Sequence, residues 1–369
     1  MNCQVVKKEL NDLKPTNVLP QTSFWGKIKN NQGFIPAGFE ITVSKDLINS
    51  QSQNTKFTND DLLILIKYLD ANYCFAYVPY GPKIEPAFEN HGIFLEELSE
   101  IIKGQLPSNC VFIRYDLMWQ NQWSKEDDYY DEDGNWTGPP SEYIQEMRLN
   151  YNTQNYKLRK SPGDNLPMNT FFLDLKKDNE ELLRGMRYHT RNRIKKASKK
   201  GIEVNEYGVE KIDDWFKLYT ETAIRSNLPK QTPDYFEQIW KNQDNSQQGV
   251  KVKLLIAEHE GNPLSSMFLA LSKNRGTYLF GASTAMQNKM PASYALQWKA
   301  IQVSKEHGCS EYDMFGSAPN LDQNHPLSGV HRFKRGFGGE LFHRMGCWDY
   351  VFDEYTYQNV RIVESSSKN

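Results

Sequence analysis

Apolar positions recur along the chain with two periods, one typical of helices and one typical of strands. In residues 90–104 the apolar side chains follow helical spacing, which predicts a helix with one buried face. Residues 250–257 and 263–271 are apolar runs on either side of a turn at Gly261, which predicts a β-hairpin. Further helices are predicted at residues 21–29, 59–70, 179 onward, 213–224 and 292–307. Further strands are predicted at residues 34–35, 39–43, 73–79, 110–115, 170–175, 277–282 and 311–315.

The order strand, helix, strand occurs twice in this pattern. Residues 98–116 contain a predicted helix, a cysteine and a strand that ends in Tyr-Asp, and residues 299–313 repeat that order. A tandem of such units indicates two related α/β halves, with chance similarity as the alternative. The length of 369 residues also suits two domains of roughly 150 residues or two joined halves.

Charge and cysteine usage narrow the class of protein. The chain has 44 basic and 46 acidic residues, which excludes a positive electrostatic field over the whole chain that would attract nucleic acid. Any recognition of phosphate must therefore be local. The five cysteines are widely spaced and form no zinc pattern, which favours free thiols in a reducing compartment. The N-terminal residues lack the apolar core of a secretory signal, and the longest purely apolar run, residues 62–66, is too short to span a bilayer. We therefore expect a cytoplasmic protein.

An aromatic and acidic insertion occupies residues 119–140, with the Asp-Gly and Pro-Pro pairs of an exposed loop. Its carboxylates could bind calcium, but their spacing does not match an EF-hand. We therefore predict a solvated loop and no metal site.

The strongest candidate for chemistry is Lys334, which lies between Phe333 and Phe337 in a stretch that ends in several glycines. Aromatic neighbours would shield this lysine from water and fix the direction of its ammonium group. A desolvated cation of this kind stabilises negative charge that develops in a transition state. The alternative is a surface turn with a solvated lysine.

A dense basic run follows residue 179. Arg187, Arg191 and Lys195 recur every four residues, so one helix would carry them on one face. Such a face could contact the phosphate backbone of an RNA, or it could be an ordinary solvated surface.

Several short motifs occur together in a fixed order and resemble the Fem family of peptidoglycan-bridge aminoacyltransferases (FemA, FemB, FemX and relatives). The similarity covers nearly the whole chain, and the ordered set is more specific than any one motif. In the first half the motifs are Gln21-x-x-x-Trp25-x-x-x-Lys29, Tyr80-Gly81-Pro82 and Ile113-Arg114-Tyr115-Asp116. In the second half they are Thr170 to Leu175, Arg191 to Gly201, Tyr278 to Ser283, the helix from Ala292, Tyr312 to Gly316, and Gly329-Val-x-x-Phe333-Lys334-x-x-Phe337-Gly338-Gly339.

The resemblance implies an α/β fold of two tandem GNAT-like domains, in the compact FemX-like form without a helical arm. Residues 1–165 would form the first domain and residues 166–345 the second, with a C-terminal tail, 346–369, that packs back on the first. The implied reaction transfers an amino acid from aminoacyl-tRNA to an amine on the stem peptide of a cell-wall precursor. No cofactor is implied beyond aminoacyl-tRNA as co-substrate. The other partner would be a nucleotide-linked or lipid-linked precursor, the latter with peripheral membrane contact.

The resemblance also assigns roles by position. Lys334 corresponds to the catalytic lysine and Phe333 to its packing partner. Lys29 and Asp116 would bind the precursor, and Tyr235, Tyr278 and Phe280 would line the cleft. Arg187, Arg191 and Lys195 are the candidates for contact with tRNA.

Three departures from the family pattern stand out. Gln231 lies where a cleft arginine is expected before Tyr235, with Arg225 and Lys230 nearby, and Phe280 replaces the usual tyrosine. No long helical hairpin interrupts the second half. The residue that accepts the amine proton stays open, with Asp116, Asp313 and the precursor itself as candidates.

Two other functions remain open at this level. An acyl-CoA N-acyltransferase on the same fold would cradle the CoA pyrophosphate with a glycine-rich loop at the start of a helix. Residues 287–293 occupy that place and lack the glycines, which argues against CoA. A non-catalytic module that binds RNA or a nucleotide is the other alternative, and for such a module Lys334 would be dispensable.

Overall fold

The computed structural model describes residues 3–48, 57–227, 229–244, 249–285 and 289–366. Its strands are β1 (Cys3–Lys8), β2 (Ile35–Ser44), β3 (Phe57–Tyr68), β4 (Cys74–Val78), β5 (Cys110–Gln120), β6 (Leu158–Lys160), β7 (Asn169–Asp174), β8 (Glu203–Tyr207), β9 (Lys251–His259), β10 (Asn262–Ser272), β11 (Arg275–Ser283), β12 (Glu311–Asp313) and β13 (Glu340–Val351). Its helices are α1 (Ser23–Asn30), α2 (His91–Lys103), α3 (Glu142–Leu149), α4 (Asn179–Gly185), α5 (Tyr188–Lys199), α6 (Ile212–Arg225), α7 (Pro233–Lys241), α8 (Ala292–Glu306), α9 (Ser328–Arg335) and α10 (Glu354–Ser366). The predicted α/β class is confirmed.

The chain divides into two compact units. Unit 1 contains Met1–Lys14, Pro20–Met168 and His343–Asn369, and unit 2 contains Pro15–Leu19 and Asn169–Phe342. The boundary that we placed after residue 165 lies slightly earlier than this division. Residues 15–19, which we assigned to the first domain, cluster with unit 2 instead.

Unit 1 is built on a sheet with the strand order β1-β2-β3-β4-β5-β13, and β6 pairs with β13. Only one of these neighbouring pairs in the described chain, β4 with β5, is parallel, and helix α2 makes the crossover between them. The apolar face of α2 packs on this sheet, where Phe94, Leu98 and Ile102 are fully buried. The helix predicted at residues 90–104 is therefore confirmed.

Unit 2 repeats this order with different strands. Its sheet runs β8-β9-β10-β11-β12-β7, and the single parallel pair among the described strands is β11 with β12, joined through α8. The hairpin predicted around Gly261 is present, with Glu260 and Gly261 both at positive φ as a tight turn requires. The repeated strand, helix, strand pattern of the sequence thus corresponds to the same element order in each unit.

The helix predicted at residues 59–70 is wrong, because this segment is strand β3. We based it on Asn59, Asp60 and Asp61 as helix-capping residues, but Asp61 is buried and accepts hydrogen bonds from Lys8 Nζ at 2.9 Å and from the Lys14 backbone N–H at 2.5 Å. The following apolar run is buried on both faces, because Leu62, Ile64 and Ile66 belong to the core on one face and Leu63 lies against Gly26 of α1 on the other. A continuous apolar run of this length suits a central strand better than a helix.

The single basic helix predicted from residue 179 is also wrong, since the chain forms two helices there. Helix α4 ends at Gly185 and α5 begins at Tyr188, with Arg187 extended at its N-cap. Met186 between them is buried in the core of unit 2, and the Arg187 backbone N–H donates to the Gly336 carbonyl at 2.9 Å. Burial of Met186 and this hydrogen bond account for the interruption. Sequence analysis also missed four helices, α3, α7, α9 and α10, and four strands, β1, β6, β8 and β13.

Candidate active site

The glycine-terminated stretch around Lys334 forms α9 and the turn that follows it. Lys334 is on the inward face of α9 and is 4% exposed, although its flanking residues on the helix are less buried. The turn requires glycine at Gly338, because its φ is +80° and a Cβ there would collide with the Gly185 carbonyl oxygen. The alternative of a surface turn with a solvated lysine is therefore excluded.

The ammonium group of Lys334 is held by backbone oxygens rather than by a carboxylate. Its Nζ donates to the Phe315 carbonyl at 2.9 Å and to the Gly316 carbonyl at 2.5 Å. It also lies 5.3 Å from the centroid of the Tyr278 ring, a cation–π distance. Burial lowers the pKa of Lys334 to about 7, and the negative charge of Asp313 opposes that decrease. The third N–H makes no hydrogen bond within the described part of the chain.

The two carbonyls reach Lys334 because the chain leaves the sheet after β12. We predicted this strand to residue 315, but it ends at Asp313. The Met314 N–H donates to the Phe171 carbonyl and the Ser317 N–H to the Asn169 carbonyl, each at 2.9 Å. Phe315, between them, has a φ of +56°, which turns the Phe315–Gly316 segment out of the sheet. Sequence analysis missed this turn, whose signal was the Gly316 that follows an aspartate by three positions.

Phe333 is half-buried and packs with other aromatic rings. Its ring centroid lies 5.2 Å from that of Phe337 and 5.1 Å from that of Tyr294 on α8, both edge to face. The ring beneath the Lys334 ammonium is that of Tyr278, so a tyrosine adds to the shielding that we expected from the two phenylalanines. The role of Phe333 in the reaction stays a prediction.

The three aromatic residues predicted to line one cleft occupy two faces of the sheet. A β-bulge in β11 pairs Tyr278 with Leu269 but Phe280 with Phe268, so Tyr278 and Phe280 do not share a face as residues two apart normally do. Tyr278 packs with the core that contains Leu269, on the side of Lys334. Phe280 packs against Tyr235, with their ring centroids 5.9 Å apart. A bulge is not visible in the alternation of apolar residues, so the sequence does not indicate that Tyr278 and Phe280 lie on different faces; their role in lining a cleft stays a prediction.

Arg225, which precedes Gln231 and Tyr235 in the chain, is positioned near the end of β11. Its guanidinium donates to the Ser283 carbonyl at 2.9 Å and to the Ser283 hydroxyl at 3.2 Å. The backbone N–H of Gln231 donates to the Tyr219 hydroxyl at 3.1 Å. Arg225 is therefore the guanidinium of this region that packs against the Tyr278 strand.

The three candidate tRNA contacts differ in their surroundings. Arg187 and Lys195 are exposed, whereas Arg191 is half-buried. The Arg191 guanidinium donates to the carbonyl of Met186 and, more weakly, to those of Leu183 and Arg184, so it satisfies free carbonyls at the end of α4. Burial lowers the pKa of Arg335, and the positive charge of Arg187 lowers it further. The two cations are therefore close.

Lys29 lies in an aromatic setting on α1. Its Nζ donates to Gln32 Oε1 at 2.7 Å and lies 5.3 Å and 6.0 Å from the ring centroids of Trp25 and Phe34. Burial lowers its pKa to about 8. It is a second partly desolvated lysine and suits an anionic or polar ligand.

Asp116 is 1% exposed at the centre of unit 1. Its Oδ2 accepts from the Tyr77 hydroxyl at 2.9 Å and from the Leu166 N–H at 3.0 Å, while its Oδ1 has no hydrogen-bond partner among the described residues. Burial, followed by the charge of Asp164, raises its pKa to about 7. The hydrogen bonds of Asp116 and the contacts of Lys29 involve different residues, so these interactions do not join the two as one site.

Neither a metal site nor a membrane span is found in the part of the chain that the structure describes. No group of three or more His, Cys, Asp or Glu side chains converges there as metal ligands. None of the described helices has both the length and the apolar character needed to cross a bilayer. The loop discussed for acyl-CoA starts at Gln287 and Asn288, which lie outside the described residues.

Two staphylococcal enzymes share part of the sequence. The lipid II:glycine glycyltransferase of Staphylococcus haemolyticus (strain JCSC1435) is 31% identical over 111 residues, which cover 30% of this chain and 26% of the relative. The enzyme of the same name from Staphylococcus aureus (strain USA300) is 28% identical over 164 residues, which cover 44% of this chain and 38% of the relative. The matched part of this chain therefore spans well under half the length of these relatives.

The fold is shared over a much longer stretch. The crystal structure of FemX superposes with a TM-score of 0.70 at 16% identity, covering 97% of this chain and 100% of FemX. The sequence profile of the FemAB family matches residues 11–258 and 240–365, which together include nearly all of the chain. On this match, the chain belongs to the FemAB family.

Proposed function

We propose that this protein transfers an aminoacyl group from aminoacyl-tRNA to an amine on the stem peptide of a peptidoglycan precursor. The two staphylococcal relatives are lipid II:glycine glycyltransferases, and membership of the same family supports a reaction of the same class. The observation that carries the proposal is the buried Lys334 ammonium with one N–H left for a ligand.

The reaction requires a positioned cation rather than a strong nucleophile on the protein. The ester of aminoacyl-tRNA is already activated, and a neutral amine of the precursor attacks its carbonyl carbon. Negative charge then develops on the carbonyl oxygen, and the free N–H of Lys334 can stabilise that oxyanion. The C–O bond to the tRNA ribose breaks and the amide bond forms. The attacking amine loses a proton, and the released ribose oxygen accepts a proton to become a hydroxyl.

The remaining parts of the site would bind the two substrates. Arg187 and Lys195, which are exposed, and the half-buried Arg335 are candidates for contact with tRNA phosphates. Lys29 is the candidate for contact with the precursor. With a lipid-linked precursor the protein would work from the cytoplasm at the membrane surface.

The test offers the purified protein a panel of aminoacyl-tRNAs with either a nucleotide-linked or a lipid-linked precursor. We expect one aminoacyl residue to be added to the stem peptide, as seen by mass spectrometry. Lys334→Met should abolish this gain while tRNA binding persists, since the substitution removes charge and little volume. Transfer from acyl-CoA in place of aminoacyl-tRNA, or full activity of Lys334→Met, would contradict the proposal.

A further inference from the structure

We propose that Asp313, together with Thr170, is a positioning residue for the Lys334 ammonium. It holds the Phe315–Gly316 turn so that two carbonyls are presented to Lys334, and its negative charge favours the protonated lysine. This inference deepens the proposed function, and only its kinetic part rests on that function.

The geometry of the turn carries the first half of the inference. Asp313 Oδ1 accepts from the Phe315 backbone N–H at 2.8 Å, which closes a local turn of the kind that aspartate favours. Thr170 Oγ1 on β7 donates to the same oxygen at 2.5 Å, so the carboxylate is fixed from the neighbouring strand as well. Phe315 adopts its left-handed conformation directly after this contact. A non-glycine residue is held at positive φ only where surrounding contacts determine it.

The opposite end of the turn is anchored from α9. His331 Nδ1 lies 2.9 Å from the Ala318 carbonyl and 3.2 Å from the Ser317 hydroxyl. Because His331 and Lys334 are neighbours on one helix face, α9 contacts the turn at two places. Asp313 fixes the start of the turn, and His331 fixes its end.

The negative charge of Asp313 supports the second half of the inference, that this residue favours the protonated form of Lys334. Asp313 is 3% exposed, and its charge is the interaction that raises the pKa of Lys334 against the effect of burial. Other titratable groups of this region include the phenol of Tyr278 on β11, the phenol of Tyr312 on β12, which interacts with Tyr278 and Asp313, and His331 and Arg335 on α9 itself. Burial raises the pKa of Tyr278 to about 12 and lowers the pKa of His331, so neither supplies a negative charge at neutral pH.

The experiment measures the titration of Lys334 directly, in protein labelled with carbon-13 at lysine Cε, with Lys334→Met to assign the signal. In Asp313→Asn the midpoint should fall by about one pH unit, the size expected when one nearby opposite charge is removed. Asp313→Ser, which also keeps an acceptor for the Phe315 N–H, is the second variant. The matched control is Asp174→Asn, because Asp174 makes the same local contact, to Lys176 N–H at 3.0 Å, on an exposed strand end.

An unchanged midpoint in the Asp313 variants, or an equal change in the control, would overturn the inference. In kinetics, kcat of Asp313→Asn should decline at lower pH than kcat of the wild type, with the KM for the precursor unchanged. The nuclear magnetic resonance measurement needs no substrate. An inactive wild type with a lowered midpoint in Asp313→Asn would therefore refute the proposed function alone, whereas an active wild type with an unchanged midpoint would refute this inference alone.

Discussion

Replacing Lys334 with methionine should stabilise the folded protein more at low pH than at high pH. Burial lowers the pKa of this lysine from its usual 10.5 to about 7. Between these two values the unfolded chain binds more protons at this group than the folded chain does, so wild-type stability rises with pH there. The cost of burying the charged form is fully present below pH 7 and disappears as the pH approaches 10.5.

The size of this effect follows from the two pKa values. A difference of one pH unit between the folded and unfolded pKa corresponds to about 1.36 kcal/mol, so the full cost is on the order of 5 kcal/mol, and roughly half of it is lost between pH 6 and pH 9. Methionine also leaves the Phe315 and Gly316 carbonyls without their donor, which costs about 1–3 kcal/mol each at any pH in this range. The pH dependence therefore separates the charge from the hydrogen bonds.

The assay is urea unfolding of wild type and Lys334→Met at pH 6, 7, 8 and 9. Across this range the free energy of unfolding should increase by roughly 2–3 kcal/mol more for the wild type than for the variant. Lys305→Met is the matched control, because Lys305 also donates to two backbone carbonyls but is half-buried; it measures the cost of losing such hydrogen bonds. A difference between wild type and Lys334→Met that stays constant with pH would refute a buried lysine of lowered pKa.

Three further substitutions test the packing of Tyr278 and the roles of two arginines at the start of α5. Gly281→Ala should destabilise the protein by about 1–3 kcal/mol and impair transfer, because the new methyl group would overlap the Tyr278 hydroxyl and displace that ring. Thermal unfolding and turnover measure the two effects. A variant with the stability and turnover of the wild type would contradict this packing. Arg187→Gln should lower the slope of log Kd for tRNA against log salt by about one while leaving stability unchanged. Arg191→Gln should instead lower the melting temperature, since this guanidinium satisfies the Met186 carbonyl; equal effects of the two arginine variants on stability would refute the distinction.

The periodicity of apolar residues predicted most of the fold, because the side chains that an element buries recur with the period of that element. Helix α2 was placed correctly because one of its faces is apolar, and the β9–β10 hairpin because two apolar runs flank a turn at Gly261. The segment at β3 failed because Asp61, interpreted as a helix cap, is a buried ion-pair partner of Lys8 in a strand. Local capping signals carry no information about such a long-range partner, and the alternation of apolar residues carries none about the bulge in β11.

Sequence analysis selected Lys334 for the candidate site but not the groups that hold it. The pattern of Phe333 and Phe337 indicated burial, and the structure agrees. The two carbonyl partners could not be predicted, because backbone oxygens have no sequence signature beyond the conformation of the turn that presents them. Asp313 was noted as a strand-end residue or a proton acceptor, and its contact with Thr170 joins two strands that are far apart in the chain.

The way in which Lys334 is held explains how a stabilising cation can be kept in a nearly dry site. A carboxylate in direct contact would neutralise the ammonium and compete with the oxyanion that forms in the transition state. Carbonyl dipoles orient the ammonium group and leave its net charge in place, and among the described residues no carboxylate lies within ion-pair distance of it. Asp313 acts from the far side of the turn, where its charge supports protonation without occupying the third N–H. The consequence is a lysine whose pKa of about 7 keeps a substantial fraction protonated near neutrality, at a cost in stability that a methionine at this position would not carry.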